Sequence, residues 1–165
     1  MKKIKIYSHQ IISNLKKRTL QNGDTYDSEI HIENGKTIIW KGICNVDSSN
    51  ERDNDPNKEG LQKVEINEGN YYGIVGKHKN KYKAILILNQ IPKMQNWVMV
   101  TEKEQIIPTV EINKNWNKKI AKFIRIHKGG DNWDWSEGCI TIHYLDYEGF
   151  IKHFEMNELI EIEKI

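Results

Sequence analysis

The sequence predicts a mainly β fold, an antiparallel sandwich or partly closed barrel, with one short helix after the strand that contains Cys139. Three observations predict it. Apolar and polar residues mostly alternate, which is the period of half-buried strands. Turn residues such as Asn34-Gly35 separate the alternating stretches. Apolar residues at helical spacing occur in one place, between residues 147 and 156.

The first half of the chain predicts paired strands. Residues 2–7 alternate charged and apolar side chains, and residues 26–32 do the same. Asn34-Gly35 then predicts a hairpin turn into a partner strand at residues 37–40, because both turn residues tolerate positive φ. Residues 45–58 have no apolar period and are rich in Ser, Asn and Asp, so we expect an exposed loop there.

The second half continues the pattern around a buried centre. Strands are predicted at residues 64–66, 72–75 and 82–88, and the continuous apolar run at residues 84–88 is typical of a strand covered on both faces. Residues 120–126 predict a strand that runs into His127. A helix at 147–156 and a strand at 159–162 are predicted to end the chain.

The composition fits a single domain over residues 1–165 and excludes several partners. The chain has 25 Lys and Arg against 23 Asp and Glu, so it lacks the concentrated positive charge that nucleic acid binding requires. No apolar run approaches the ~20 residues of a membrane span. The basic start of the sequence is not followed by the apolar segment of a signal peptide. We therefore expect synthesis in the cytoplasm without a signal peptide; a target outside the cytoplasm would require export by a dedicated secretion system or by phage lysis. The oligomeric state is open.

The residues that could act as a nucleophile or as a base are concentrated at 123–144. His127 ends an apolar strand, a loop rich in Gly, Asp and Trp follows, and Cys139 enters the next strand. A thiol becomes a good nucleophile when a neighbouring imidazole takes its proton, so Cys139 and His127 are a candidate nucleophile and base. Gly138 allows a sharp turn, and the amides of Gly138 and Cys139 are candidates for an oxyanion hole. The alternative is that Cys139 is a small core residue and His127 a strand-end histidine.

Several other residues of this stretch have two interpretations. Trp133 and Trp135 suit stacking against a sugar or peptide, or they cover the core. Asp131 and Asp134 are candidates to orient the imidazole, as is a backbone carbonyl, or they are turn residues that cap the loop. We consider the other thiol, Cys44, to be separate from Cys139, since two cysteines are too few for a disulfide framework.

A zinc site from Cys139, His127 and His143 is a weaker hypothesis, because no paired CxxC or HExxH spacing supports it. No metal or cofactor is therefore expected.

Two motifs together resemble a known family. Ile126-His127, a Gly-containing loop and Ser136-Glu137-Gly138-Cys139-Ile140 resemble the signature of YkuD-type L,D-transpeptidases. They are closer still to small uncharacterised relatives of that fold, with a pattern similar to Ile-His-x-Gly, a short loop and Glu-Gly-Cys-Ile. Upstream, residues 50–54 and 66–71 resemble the Arg- and Asn-containing loop and the Pro-x-Gly-x-Tyr turn of those relatives. The resemblance spans roughly residues 40–165.

The resemblance implies a mainly β catalytic domain in which Cys139 is the nucleophile and His127 its base. It implies acyl transfer on peptidoglycan stem peptides through a thioester, which an amine resolves by cross-linking or water by hydrolysis. It also implies contacts to the peptidoglycan or other peptide substrate from Ser136, Glu137 and Arg52, beside the two candidate tryptophans Trp133 and Trp135.

The chain departs from the family at two positions next to the nucleophile. Transpeptidases usually have His before the Gly and Arg two residues after the Cys, where this chain has Glu137 and Thr141. The missing Arg removes a partner for a substrate carboxylate or main chain. The alternative function is therefore a non-catalytic cell-wall or phage-associated binding module on the same fold.

Overall fold

The structure, a computed structural model, describes residues 1–19, 25–46, 64–93, 96–111, 120–130 and 139–165. Within these ranges the chain forms thirteen strands, one α-helix and two short 3-10 helices. The elements are β1 (Lys3–Tyr7), β2 (Arg18–Thr19), β3 (Thr25–Tyr26), β4 (Ser28–Asn34), β5 (Thr37–Asn45), β6 (Val64–Ile66), β7 (Gly69–His78), β8 (Tyr82–Leu88), the 3-10 helices Trp97–Met99 and Lys103–Gln105, β9 (Ile107–Glu111), β10 (Ile120–Ala121), β11 (Arg125–Gly129), β12 (Ile140–His143), α1 (Tyr144–Ile151) and β13 (Leu159–Lys164).

Eight strands form one ring-like sheet in the order β1-β13-β7-β8-β11-β12-β5-β4, and β4 pairs back onto β1. The ring is not a regular barrel, because β11 joins β8, and β12 joins β5, through only two residue pairs each. The predicted mainly β fold with one short helix after the Cys strand is confirmed. Two pairs in this largely antiparallel sheet, β1 with β13 and β11 with β12, are parallel.

Strand β8 explains how the sheet is packed on both sides. All five residues from Ala84 to Leu88 are buried, as their continuous apolar run predicted. Ile85 and Ile87 join the main core inside the ring, whereas Leu86 and Leu88 belong to a second cluster with Trp97. Because alternate strand residues point to opposite faces, this strand needs an apolar side chain at every position.

The predicted first hairpin is present, with its turn one residue later than the Asn34-Gly35 pattern suggests. Asn34 pairs with Thr37, so the two turn residues are Gly35 and Lys36. Gly35 has a φ of +62°. The glycine takes the left-handed conformation, which costs it little, and the asparagine stays in the strand.

Three predicted boundaries are wrong. Residues 120–126 are not one strand, because β10 ends at Ala121, β11 begins at Arg125, and Phe123 between them has a φ of +58°. Asn45 and Val46 are buried at the end of β5 and do not begin an exposed loop; the remainder of that predicted loop lies outside the described residues.

The third wrong boundary is the start of the helix. It starts at Tyr144, before the predicted residue 147, because the Nδ1 atom of His143 accepts a hydrogen bond from the Leu145 amide and caps it. It ends at Ile151, and Phe154 is buried beyond it. In the part of the chain that the structure describes, no helix has the length and apolar character to span a bilayer.

Candidate functional site

The parallel pair of β11 and β12 brings the candidate base and nucleophile to neighbouring strands. His127 pairs with Thr141, and Ile126 pairs with Ile140. The two isoleucines point into the core, so His127 and Thr141 share the opposite face. Cys139 directly precedes β12, and its sulfur reaches the backbone amide of Arg125 in β11. The strand that contains His127 and the strand that follows Cys139 are therefore neighbours.

The ring of His127 is fixed in one tautomer by its own strand. Its side chain is buried, and Nδ1 lies 3.0 Å from the carbonyl oxygen of Lys128. A carbonyl oxygen only accepts, so Nδ1 carries the hydrogen and donates it. Nε2 is then the nitrogen that can take a proton. Of the orienting groups that the sequence left open, the backbone carbonyl is therefore the one the structure provides.

A second imidazole, His78, stacks on His127 from the end of β7. The ring centroids are 5.0 Å apart and the planes differ by 11°. Burial lowers the pKa of His127 to about 4 against the opposing effect of the Lys128 carbonyl, and positive charge at His78, Arg125 and Lys79 lowers it further. Burial also lowers the pKa of His78. His127 is thus neutral near pH 7, the state in which a base accepts a proton.

The thiol of Cys139 is partly exposed and held by backbone groups. The Arg125 amide donates to Sγ at 3.4 Å, and Sγ lies 3.9 Å from the carbonyl oxygen of Phe123. An N–H donor interacts more strongly with a thiolate than with a thiol. The exposure of Cys139 also argues against its being a core residue, unlike Cys44, whose burial raises its pKa. Neither cysteine is in a disulfide, as the sequence predicted.

Tyr82 completes the surroundings of the thiol and was not predicted. Burial raises its pKa, and a negative charge on Cys139 raises it further, while a hydrogen bond from the Lys128 backbone opposes both effects. The phenol therefore lies within electrostatic range of the sulfur. Tyr82 begins β8, which lies between β7 and β11 in the sheet.

The remaining predicted site residues stay predictions. They lie outside the described residues, as do the two aspartates considered for orienting His127. They are Arg52, Asp131, Trp133, Asp134, Trp135, Ser136, Glu137 and Gly138. The oxyanion hole and the substrate contacts that the family resemblance implies are thus not part of the described geometry.

No zinc site emerges from the ranges that the structure covers. Within them, no three His, Cys, Asp or Glu side chains come together in a way that could hold a metal ion. His143, which the weaker zinc hypothesis used, instead caps α1 through Nδ1, and the same nitrogen contacts the Arg18 guanidinium.

A cavity of about 430 Å³ lies elsewhere, between the N-terminal segment, β5 and α1. Neither His127 nor Cys139 lines it, so the concave surface and the reactive pair do not coincide. We place the candidate site at the thiol, because a partly exposed thiol and an oriented imidazole lie at neighbouring strands there. The residues that line the cavity are Leu15, Lys16, Arg18, Trp40, Lys41, Gly42, Ile43, Leu145, Asp146 and Gly149.

Comparisons of the chain with protein-family models, with curated proteins and with solved structures found no match. The site is therefore argued from its own contacts.

Proposed function

We propose that this protein is a cysteine-dependent acyl-transfer enzyme that acts on peptidoglycan stem peptides through a thioester. The observation that supports it most is the orientation of His127: its Nδ1 is taken by the Lys128 carbonyl, so Nε2 is the available base. The partly exposed thiol of Cys139 adjoins the neighbouring strand. The substrate class comes from the resemblance of the two flanking motifs to L,D-transpeptidases.

In the first half of the reaction, the Cys139 sulfur attacks the carbonyl carbon of the scissile amide. Nε2 of His127 takes the thiol proton as the sulfur–carbon bond forms. The protonated imidazole then gives this proton to the leaving amine, the carbon–nitrogen bond breaks, and a thioester remains on Cys139. The Arg125 amide stabilises the negative charge that develops on the sulfur as the proton leaves.

In the second half, an amine or a water molecule attacks the thioester carbonyl. His127 removes a proton from the attacking group and returns it to the sulfur as the carbon–sulfur bond breaks. An amine gives a cross-linked product and water gives a shortened peptide. Because the pKa of His127 is lowered to about 4, the resting imidazole is neutral, and it takes the thiol proton as the sulfur attacks.

The test is the rate at which iodoacetamide alkylates Cys139, followed by peptide mass spectrometry at pH 7.5. We expect His127→Ala to slow the reaction by at least about tenfold, since positioned acid–base groups contribute ~10²–10⁴ to their reactions. His153→Ala is the matched control, because His153 lies beyond α1, and should react like wild type. Cys44 is fully buried and should therefore stay unmodified while the protein is folded. Equal rates with and without the His127 ring would refute the proposal.

A second candidate is a non-catalytic cell-wall or phage-associated binding module, which the cavity away from the thiol favours. Trp40 lines that cavity with its ring against Phe150. Such a module would retain muropeptides in a Cys139→Ala variant and lose them in a Trp40→Leu variant. An enzyme that binds its donor at the thiol would keep its affinity in the Trp40 variant.

A further inference from the structure

We propose that Arg125 forms a carboxylate-binding site beside Cys139, and that the acyl donor carries a carboxylate about one residue from its scissile carbonyl. This inference rests on the proposed function, because it assigns the substrate chemistry of the same site. No sequence pattern pointed to Arg125.

The guanidinium of Arg125 and the sulfur of Cys139 both contact the carbonyl oxygen of Phe123. Its Nη1 atom donates to the carbonyl oxygen of Phe123 at 3.1 Å, and Sγ of Cys139 lies 3.9 Å from that same oxygen. The guanidinium nitrogen and the sulfur are therefore separated by no more than the sum of these two distances. A peptide residue spans ~3.8 Å between successive Cα atoms. A carboxylate one residue from the carbonyl under attack would thus be within reach of the guanidinium.

The side chain of Arg125 is held in position by the sheet. Its Cζ atom lies 5.5 Å from the centroid of the Trp97 ring. That ring sits directly on Gly76 of β7, where an added Cβ would come within 1.9 Å of it. The tryptophan is therefore seated on the sheet, and the flat guanidinium stacks on it, as Arg does on aromatic faces. A guanidinium fixed in this way loses little further entropy when it binds an anion.

The guanidinium has more donors than acceptors around it. Its Nε is buried without a hydrogen-bond partner, and one bond, to Phe123, accounts for Nη1. Among the described residues, no Asp or Glu lies within ion-pair distance of Arg125. A buried donor without an acceptor is unfavourable, and a carboxylate satisfies two guanidinium N–H groups at once.

The test compares two alkylating agents that share a leaving group and differ in charge, iodoacetate and iodoacetamide. We expect Arg125→Gln to lower the iodoacetate-to-iodoacetamide rate ratio at Cys139 by about tenfold, the loss of one charge-assisted interaction. The substitution leaves the backbone amide on Sγ, and the ratio cancels any change in thiol reactivity that both agents share. Lys79→Gln is the matched control: Lys79 also acts on His127 through its charge, and its removal should change the ratio little.

The outcomes separate this inference from the proposed function. The same ratio in wild type and Arg125→Gln overturns the carboxylate site, while a His127-dependent iodoacetamide rate leaves the acyl-transfer proposal standing. A thiol that reacts with neither agent overturns both. If Arg125→Gln does not fold, the wild-type protein is tested with sodium acetate as a competitor. Sodium acetate should slow alkylation by iodoacetate and not alkylation by iodoacetamide. Equal slowing of both reactions, or of neither, counts against the site.

The source of the carboxylate can be distinguished by protection of Cys139 from iodoacetamide. The three probes are acetyl-Ala-Ala with a free terminal carboxylate, acetyl-Ala-Ala amide, and acetyl-Ala-Asp amide with a side-chain carboxylate. Protection by the first alone identifies a terminal carboxylate, and protection by the third alone an acidic side chain. Equal protection by all three contradicts the inference.

Discussion

Replacing His127 with Gln should change how the stability of the protein depends on pH. Burial lowers the pKa of His127 from 6.5 to about 4, so the folded protein excludes a proton that the unfolded chain accepts. Between these two values the unfolded state binds more protons, and the free energy of unfolding therefore rises with pH. Gln has no such proton, so the variant should lose this part of the pH dependence.

The magnitude follows from the two pKa values. At 1.36 kcal/mol per pKa unit, wild type should lose about 3 kcal/mol between pH 7 and pH 4 relative to His127→Gln. Urea unfolding of both proteins at a series of pH values gives the difference directly. We expect the two stability curves to be parallel above pH 6.5 and to converge below it.

His9 supplies a control with the opposite sign. Burial lowers the pKa of His9, but hydrogen bonds and charge from Asp27 and Glu65 raise it above 6.5 overall. The stabilisation that His9 contributes is complete below pH 6.5 and is lost as the pH rises through its raised pKa. The difference in free energy of unfolding between wild type and His9→Gln should therefore become smaller at higher pH. Parallel curves for wild type and His127→Gln from pH 4 to pH 7 would refute the buried neutral imidazole.

Two further substitutions test the packing around the site. Gly76→Ala should displace the Trp97 ring and cost ~1–3 kcal/mol in urea unfolding, because the new Cβ would lie 1.9 Å from it; an unchanged midpoint would contradict this seating. Glu29→Gln should cost ~2–3 kcal/mol by the same measurement at pH 7, since the fully buried Glu29 carboxylate accepts from Ser13 and contacts His31. Burial raises the pKa of Glu29, yet its bonds from Ser13 and His31 lower it overall, so this cost should shrink as pH falls below 4.5.

The sequence predicted those parts of the fold that depend on neighbouring residues. The run at 84–88 and the turn at Gly35 each carry a local cause, burial on both faces and positive φ, and both appear in the structure. The parallel pairing of β11 with β12 has no such local cause, because parallel strands are not joined by a tight turn that the sequence could reveal. The helix start was missed because His143, an uncommon capping residue, supplies the cap.

The candidate site was also predictable from the sequence only in part. His127 and Cys139 were found because a base and a thiol at the ends of one loop are a recognisable pattern. The Lys128 carbonyl that orients His127 is backbone and has no residue signature. His78, at the end of β7, reaches the imidazole because β8 pairs with both β7 and β11, which are far apart in sequence. Such contacts can be predicted only when the order of the strands in the sheet is known.

The most direct test of the proposed acyl transfer is the intact mass of the protein after incubation with a peptidoglycan stem tetrapeptide. We expect an adduct equal to the peptide minus its leaving group, located at Cys139 by fragmentation and released by hydroxylamine as a thioester. It should be absent from Cys139→Ala and strongly reduced in His127→Ala. A thiol that alkylates readily but never forms this adduct with stem peptides would contradict the proposed function.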